Sequence, residues 1–359
     1  MKSLVLDWFR RRFSDPNAIT LFLLLVFGFL AIYLLGNVMA PLLVALVLAY
    51  LLEWPVQKLA NLKMSRTLAT VVVMLLFIGL CLMIMVFLLP TLWTQTSNLV
   101  KELPNMLDHV RSYVLELPDR YPSLVQPEQV KTLVDESQKT LITWAQTALG
   151  FTVGSLGNVV AILIYLILVP LLMFFLLKDK QSLVGGLQRF MPRNRKLAQQ
   201  VWHEMNVQIV NYIRGKVLEI IVVGVASYIT FAIFGLRYSV LLGLAVGLSV
   251  LIPYIGAVVV TIPVALVAAV QWGLDSTFIY LMVAYGVIQA LDGNVLVPIL
   301  FSEAVNLHPI FIILAVLFFG GIWGFWGVFF AIPLATLVKA VLNAWPIPEP
   351  EESGAGEAA

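Results

Sequence analysis

Apolar stretches long enough to cross a lipid bilayer dominate this sequence. A membrane-spanning helix needs about 20 mainly apolar residues, and stretches of that kind recur from residue 18 almost to residue 344. The whole chain is 61% hydrophobic and only 12% charged, whereas an ordinary soluble domain is about 25% charged. The sequence therefore excludes a soluble globular enzyme and predicts an all-α polytopic membrane protein.

About eight hydrophobic segments can be placed along the chain. They are residues 18–35, 38–52, 68–89, 159–177, 217–234, 238–270, 277–300 and 310–342. Only Gly36 and Asn37 separate the first two segments, and Pro41 follows. We therefore expect these two segments to form a tight helical hairpin.

Two of the segments are too long to be single straight helices. Residues 238–270 and 310–342 each contain 33 residues, which would give about 50 Å of helix across a hydrocarbon core of about 30 Å. Proline removes a backbone donor and glycine weakens a helix, so breaks are expected where these residues gather. The residues at the expected breaks are Pro253, Tyr254 and Gly256 in the first segment and Gly321, Gly324 and Gly327 in the second.

A similar four-residue motif follows each break and indicates an internal repeat. Residues 262–265 read IPVA and residues 332–335 read IPLA, which places Pro263 and Pro333 70 residues apart. Each broken segment is expected to be either a re-entrant hairpin or one kinked, tilted helix. Two hairpins separated by one span would enter from opposite faces, an arrangement common in secondary transporters, which hold substrate where broken helices meet. The alternative is that the glycines serve only close helix packing.

Four charged residues lie between residues 217 and 300. Glu219 lies near the inner end of its segment beside two basic residues, and Arg237 and Asp275 fall in short loops. These three therefore have simple structural explanations. The fourth, Asp292, lies well inside the seventh segment, where an aspartate on a lone helix costs roughly 2.5–3.5 kcal/mol. Such residues usually face a partner or a water-filled path.

The polar residues around Asp292 form the centre of the candidate transport path, together with the glycines and prolines of the two breaks. Gln289 lies three residues before Asp292 and shares its helix face. Asn294 joins them only if the helix opens at Gly293, which the ring of Pro298 favours. The opened turn would suit a cation, a proton or a polar solute. Alternatively, Asp292 lies in an interface or pairs with a basic residue to fix helix packing.

Two hydrophilic insertions and the distribution of charge set the expected topology. Residues 178–216 carry eight Lys and Arg against two acidic residues, whereas residues 91–150 carry five against seven. Lys and Arg stay on the cytoplasmic side of short loops. Both termini and residues 178–216 are therefore expected in the cytoplasm, and residues 91–150 outside.

The chain accordingly divides into six parts. In order they are an amphipathic tail with the first three membrane helices (1–90), an external amphipathic helical insertion (91–150), the fourth membrane helix (151–177), a cytoplasmic basic amphipathic insertion (178–216), a transport core (217–345) and a disordered tail (346–359). The basic insertion suits a helix in the lipid headgroup layer. The external helix either lies on the membrane, packs on its own subunit or contacts another subunit.

No residue pattern indicates catalysis, a metal site or a cofactor. The single cysteine, Cys81, lies in an apolar run, and the three histidines are scattered, which argues against a His/Cys metal cluster. The spans lack serine–histidine, HExxH and paired-aspartate motifs, and the chain lacks a phosphate-binding glycine loop. We therefore expect no enzyme activity, no cofactor, no nucleic-acid partner and no ATP coupling within this chain.

Several short motifs of this sequence resemble those of the autoinducer-2 exporter family of permeases. They are YIRGK at 212–216, PYIG at 253–256, NVLVP at 294–298, GFWG at 324–327 and IPLA at 332–335. The likeness covers nearly the whole chain, from residue 8 to residue 346. The resemblance implies a bacterial inner-membrane protein that exports a small polar signal such as autoinducer-2, or exchanges sodium for protons. It also implies a homo-oligomer, with a pentamer as the expected assembly.

Two functions compete on these observations. The first is a secondary transporter, or permease, that exports a small polar solute past the broken helices, with Na⁺ or H⁺ as the coupling ion and membrane lipids around it. The second is a non-transporting membrane scaffold whose two insertions dock partner proteins. A scaffold would tolerate neutralisation of Asp292, whereas a transporter would not.

The topology can be tested with single cysteines in a Cys81→Ser background. We expect a membrane-impermeant maleimide to leave Arg193→Cys unlabelled in intact spheroplasts, because the basic insertion is cytoplasmic. Asp119→Cys, in the external insertion, is the positive control and should be labelled under the same conditions. Labelling at Arg193→Cys would overturn this topology.

Overall fold

The computed structural model describes residues 16–115, 140, 143, 147, 159–188, 196–301 and 307–344. Throughout these ranges the regular structure is helical, and they contain no strand. Three of the predicted features lie outside the described residues. They are the N-terminal tail before residue 16, most of the external insertion beyond residue 115, and the tail at 346–359.

The helices are named here in chain order. They are α1 (Pro16–Asn61), α2 (Arg66–Leu115), α3 (Val159–Lys178), α4 (Lys180–Gln188), α5 (Lys196–Phe234), α6 (Ser239–Ser249), α7 (Ile255–Trp272), α8 (Ser276–Leu291), α9 (Val297–Phe301), α10 (Pro309–Trp323), α11 (Phe325–Phe329) and α12 (Ala331–Ala344). Among the described residues, five helical stretches are long and apolar enough to cross a membrane, and counting α3 with α4 as one broken span adds a sixth. The prediction of an all-α polytopic membrane protein with broken segments is confirmed, and the number of eight segments is approximate.

The expected hairpin between the first two hydrophobic segments is wrong. One helix, α1, runs through Gly36, Asn37 and Pro41 without a turn. A glycine or an asparagine costs a helix only about 1 kcal/mol or less. A turn would instead end two helices and leave about eight backbone groups without intrahelical partners, which is more costly in apolar surroundings.

The predicted external amphipathic helix begins as a continuation of the third hydrophobic segment. Helix α2 continues without interruption through Pro90 and Pro104. Met106 is buried and belongs, with the partly buried Leu99, to an apolar core shared with α5, α6, α7 and α8. The described part of this helix therefore packs on its own chain.

The chain forms two compact units. The small unit holds Met1–Leu43, Asp179–Tyr212 and Glu303–Ala359, and the large unit holds Val44–Lys178 and Ile213–Ser302. The large unit contains the core of α5–α8 with α2 and a further core between α1, α2 and α3.

Arg66 ties together the ends of three helices in the large unit. Its guanidinium donates to both carboxylate oxygens of Glu53, at 3.0 and 3.1 Å, and to the Leu177 carbonyl, at 2.7 and 2.9 Å. That carbonyl lies in the last turn of α3, where carbonyls have no intrahelical donor. A planar guanidinium can make these bonds at once, so Arg66 at the start of α2 joins this helix to Glu53 in the C-terminal part of α1 and to the last turn of α3.

Helices α6 and α7 form an antiparallel hairpin, called the first hairpin below. At its base, Gln271 Oε1 accepts a hydrogen bond from the Arg237 N–H at 2.8 Å, and Gln271 Nε2 donates to the Gly235 carbonyl at 2.8 Å. Near its tip, Gly256 at the start of α7 lies against the Ser249 carbonyl at the end of α6. This broken segment therefore folds back on itself and is not one kinked helix.

The tip of the first hairpin is the non-helical stretch of residues 250–254. Tyr254 has φ 63° and ψ −51°, a conformation that residues other than glycine rarely adopt. The preceding Pro253 has no N–H with which to continue the helix. The break thus falls where the sequence predicts it.

Helices α10 to α12 form a second hairpin, within the small unit. Gly327 in α11 lies against the Phe319 carbonyl, and Gly320 lies against the Val328 side chain. Helices α10 and α12 share one apolar core. Gly324 separates α10 from α11 with φ 58° and ψ −131°, which glycine adopts without steric cost.

The two hairpins are built alike, which supports the internal repeat. The positive-φ residues Tyr254 and Gly324 are 70 residues apart, the same offset as the two Ile-Pro phrases. In each hairpin a glycine just after the break, Gly256 or Gly327, lies against a carbonyl of the preceding arm. Glycine contacts of this kind let two helix backbones approach closely.

Substitution of the tip glycines should destabilise the hairpins. In Gly256→Ala and Gly327→Ala the added Cβ would overlap a main-chain carbonyl oxygen, and overpacking lowers the free energy of unfolding by about 1–3 kcal/mol. We expect a lower Tm for each purified variant in detergent. Gly286→Ala in α8, where no heavy atom lies within 4 Å of the added Cβ, is the matched control. Wild-type Tm values for both tip variants would contradict the close packing.

Candidate functional site

Helix α8 opens into a π-helical turn before α9 begins. The Val297 N–H donates to the Asp292 carbonyl, five residues earlier, while Pro298 has no N–H to offer the Asn294 carbonyl. Asn294 is exposed, and its Nδ2 donates to the Ala290 carbonyl at 2.8 Å. The Asn294 amide therefore supports the turn. Turns of this kind inside α-helices are frequent at functional sites.

Asp292, the first residue of the π-helical turn, directs one carboxylate oxygen into a buried position. Its Oδ1 and the Gln289 Nε2 are buried and have no hydrogen-bond partner among the described residues. The carboxylate is close enough to Lys216 and Glu219 of α5 to interact with both electrostatically. Burial of an unsatisfied polar atom costs about 1–3 kcal/mol. This position can therefore take up a proton, an ion or a hydrogen-bond donor.

Lys216 and Glu219 form a buried ion pair in α5. The Lys216 Nζ lies 2.8 Å from Glu219 Oε2, and the two side chains are 5% and 3% exposed. The same ammonium donates to the Val250 carbonyl at 2.7 Å and lies 5.3 Å from the centroid of the Phe301 ring. Because Val250 begins the tip of the first hairpin, Lys216 links α5 to that tip.

Glycines bring α5 close enough to α6 for this contact. A Cβ added at Gly247 would lie 2.9 Å from the Gly224 Cα and 2.7 Å from the Ile220 carbonyl oxygen. Gly215 likewise makes room for Phe301, whose ring would lie 2.7 Å from an added Cβ. Small residues permit such close helix approach in membranes.

The three charged residues Lys216, Glu219 and Asp292, called the charge cluster below, belong to helices that are long and apolar enough to cross a membrane. Lys216 and Glu219 belong to the candidate span Asn206–Phe234, and Asp292 belongs to Ser276–Phe301. With both carboxylates ionised, the cluster holds one positive and two negative charges, and one negative charge is left unbalanced. Arg214, two residues before Lys216, is not among the charges that act on either carboxylate. An unbalanced charge is unfavourable in apolar surroundings, and a proton or a monovalent cation would balance it.

A second set of polar contacts lies at the base of the first hairpin. Arg237 Nη1 lies 3.4 Å from Glu102 Oε2 of α2, and Gln95 Oε1 accepts from the Leu241 N–H at 2.9 Å. Burial and the neighbouring Glu102 raise the pKa of Tyr238 to about 12, so its hydroxyl stays protonated at neutral pH. These contacts join α6 to the part of α2 that follows the third hydrophobic segment.

The second hairpin carries the other predicted path residues, within the small unit. There the Tyr212 hydroxyl donates to the Phe329 carbonyl at 2.9 Å, at the end of α11, and the two rings meet edge to face. The bond satisfies a carbonyl that the break leaves without a helical donor. The predicted residues of this hairpin are the exposed Gly321 and Gly324 and the buried Gly327 and Pro333.

The predicted residues of the large unit differ in their surroundings. Asp292 and Gln289 have buried polar atoms beside the charge cluster, whereas Asn294 bonds to its own helix. The remaining predicted residues are the half-buried Pro253 and Pro263, the exposed Tyr254 and Pro298, and the buried Gly256.

Sequence reasoning missed Lys216 and Glu219. It gives Glu219 a simple explanation near the inner end of a segment beginning at residue 217. The structure instead shows Glu219 in a buried ion pair with Lys216, which also bonds to the tip of the first hairpin. The Lys–Glu spacing of three residues, which puts both side chains on one helix face, was the available signal.

Broken helices and ionisable residues at membrane depth are features of membrane transport proteins. Residues 21–347 match the AI-2E transporter family. The chain belongs to this family of multi-pass membrane transport proteins. It is 52% identical to "Putative permease PerM" of Escherichia coli (strain K12) over 346 residues, which cover 96% of this chain and 98% of that protein. It is 25% identical to "AI-2 transport protein TqsA" of the same organism over 330 residues, 89% of this chain and 91% of that protein.

A single and a double variant together test the buried ion pair. Glu219→Gln leaves the Lys216 ammonium without its carboxylate, a loss that costs roughly 3–5 kcal/mol in buried pairs. We expect a clearly lower Tm, and the double variant Lys216→Met/Glu219→Gln should recover most of it because it buries no unpaired charge. Arg237→Gln, which breaks an exposed pair worth about 0–1 kcal/mol, is the control. A double variant no more stable than Glu219→Gln would show that charge is not the cause.

Proposed function

We propose that this chain is a secondary transporter of the bacterial inner membrane that exports a small polar solute or signal in exchange for a cation or a proton. The observation that carries the proposal is the Asp292 Oδ1, buried without a partner among the described residues, beside the Lys216–Glu219 pair. Ionisable groups at membrane depth mark ion pathways and proton relays in transport proteins. Asp292 is the group that exchanges the coupling ion.

The class of solute is a small polar molecule. Gln289 and Asp292 both place polar atoms in this part of the large unit, and buried polar groups favour a ligand that can hydrogen-bond to them. The name of the relative TqsA states transport of AI-2, which is consistent with such a solute. Export as the direction rests on the resemblance to the autoinducer-2 exporter family.

The contacts of the first hairpin support an entry from the outer face of the membrane. Its base bonds to Glu102 and Gln95, which belong to residues 91–150, the insertion expected outside from its charge. Its tip bonds to Lys216, at the end of the basic insertion expected inside. In this topology the second hairpin enters from the cytoplasmic face, and both termini are cytoplasmic.

The assembly in this proposal is a homo-oligomer, with a pentamer as the expected form, surrounded by membrane lipids. Exposed apolar side chains support it, because α2 presents a nearly continuous apolar surface between Leu75 and Leu89. Lipid tails and neighbouring copies of the chain are the partners that such a surface accepts. The proposal assigns no catalytic group and no cofactor.

Neutralising Asp292 separates ion coupling from packing. Asp292→Asn keeps the size and most of the hydrogen-bonding capacity of the side chain but removes its titratable charge. We expect near-normal abundance, with solute flux in proteoliposomes either lost or made independent of the imposed ion gradient. Flux is measured with defined Na⁺ and H⁺ gradients.

Asn294→Ala is the matched comparison, because it deletes a neutral amide and leaves the charge. It should weaken solute affinity, because the Asn294 amide supports the π-helical turn that carries Asp292, and so raise the half-saturating solute concentration while flux still depends on the gradient. Gradient-driven flux in Asp292→Asn that equals the wild type would show that the carboxylate is structural. That result would favour the scaffold function instead.

A further inference from the structure

We propose that Lys216 is an ion-controlled latch on the first hairpin. Its ammonium holds the hairpin tip against α5 while Glu219, the carboxylate in contact, is negatively charged, and releases the tip when a proton or a monovalent cation neutralises Glu219. The proposal rests on the proposed ion-coupled transport and names the side chain that converts ion binding into movement.

The inference rests on the hydrogen bonds of the Lys216 ammonium. Lys216 Nζ donates both to Glu219, at 2.8 Å, and to the Val250 carbonyl, at 2.7 Å. The first partner can change its charge, and the second is a main-chain atom of the tip. A single donor group thus connects a titratable site to a break in a helix.

The carboxylates make burial of this ammonium possible. An ammonium ion is strongly unfavourable in apolar surroundings unless it is paired and hydrogen-bonded. Its paired groups are Glu219, in contact, and Asp292, within electrostatic range. Helices α6, α7 and α9 add no ionisable residue, the tip adds Tyr254, and α8 adds Tyr280 and Tyr285. On α5, Arg214 is not among the charges that act on either carboxylate. Neutralisation of Glu219, the carboxylate in contact, therefore removes the main charge that keeps Lys216 buried.

Release of Lys216 would free the tip from α5. The neighbouring tip residues, Leu251 and Ile252, donate within the hairpin, to the Leu248 and Ser249 carbonyls at 3.1 Å. The Lys216 bond is therefore a polar link from the tip to another helix. Without it the Val250 carbonyl needs a new donor, and water or a polar solute can provide one.

Cysteine accessibility at the tip tests the latch without reference to transport. Ile252→Cys in a Cys81→Ser background is labelled with a water-soluble maleimide in the purified full-length protein. We expect at least about a fivefold faster reaction in Lys216→Met/Glu219→Gln than in the otherwise unchanged protein. Arg237→Gln, at the base of the same hairpin, is the matched control and should leave the rate unchanged.

The variant Glu219→Gln separates a controlled latch from a static hydrogen bond. It keeps the ammonium but removes the charge that holds it, so labelling should be accelerated as in the double variant. Slow labelling in Glu219→Gln, with fast labelling in the double variant, would show that the carboxylate does not control Lys216 and would overturn the proposal. Slow labelling in the uncharged double variant, whose folding does not depend on an unpaired charge, would overturn it as well.

These outcomes are independent of the proposed function. Unchanged labelling together with loss of coupled flux in Asp292→Asn would reject the latch and keep the transporter. Accelerated labelling together with wild-type flux in Asp292→Asn would reject ion coupling at Asp292 while showing that the tip is held by the charge of Glu219.

Discussion

Carbonyl groups at helix ends are the constraint around which this structure is arranged. A helix that ends at membrane depth leaves carbonyls that no water can reach, and such groups must be satisfied by the protein itself. In the described chain, side chains donate to carbonyls at several helix ends and openings. Lys216 donates to Val250 and Tyr212 to Phe329, each from another helix. Arg66 donates to Leu177 near the end of α3, and Asn294 donates to Ala290 of its own helix.

This constraint explains which features of the fold the sequence predicts. Segments of 33 residues cannot be straight spans, and proline and glycine mark where they break, so the tips of both hairpins fall near the predicted positions. The choice between hairpin and kinked helix is not encoded locally. The hairpin includes the hydrogen bonds of Gln271 with residues 235 and 237. These bonds join residues more than 30 positions apart, and no short motif predicts them.

The same reasoning explains one error and one omission. Gly36 and Asn37 resemble a turn, but continuing the helix avoids new unsatisfied ends, and the local cost of the two residues is smaller. Lys216 and Glu219 resemble ordinary charges near the end of a segment, because each alone lowers the hydropathy of that segment. Their role is visible only in three dimensions, where the pair is buried and bonded to the Val250 carbonyl of a broken helix.

The kinds of contact made by the first hairpin determine which part of it responds to charge. Its arms meet through Gly256 and Ser249, and α6 meets α5 through Gly247 and Gly224. Van der Waals contacts of this kind do not change when a proton or an ion binds. The Val250 carbonyl, in contrast, is held by an ammonium whose burial depends on the charge of its neighbours. In the latch that we propose, ion binding therefore acts on the five residues of the tip, while the arms and the base stay packed against α2 and α5.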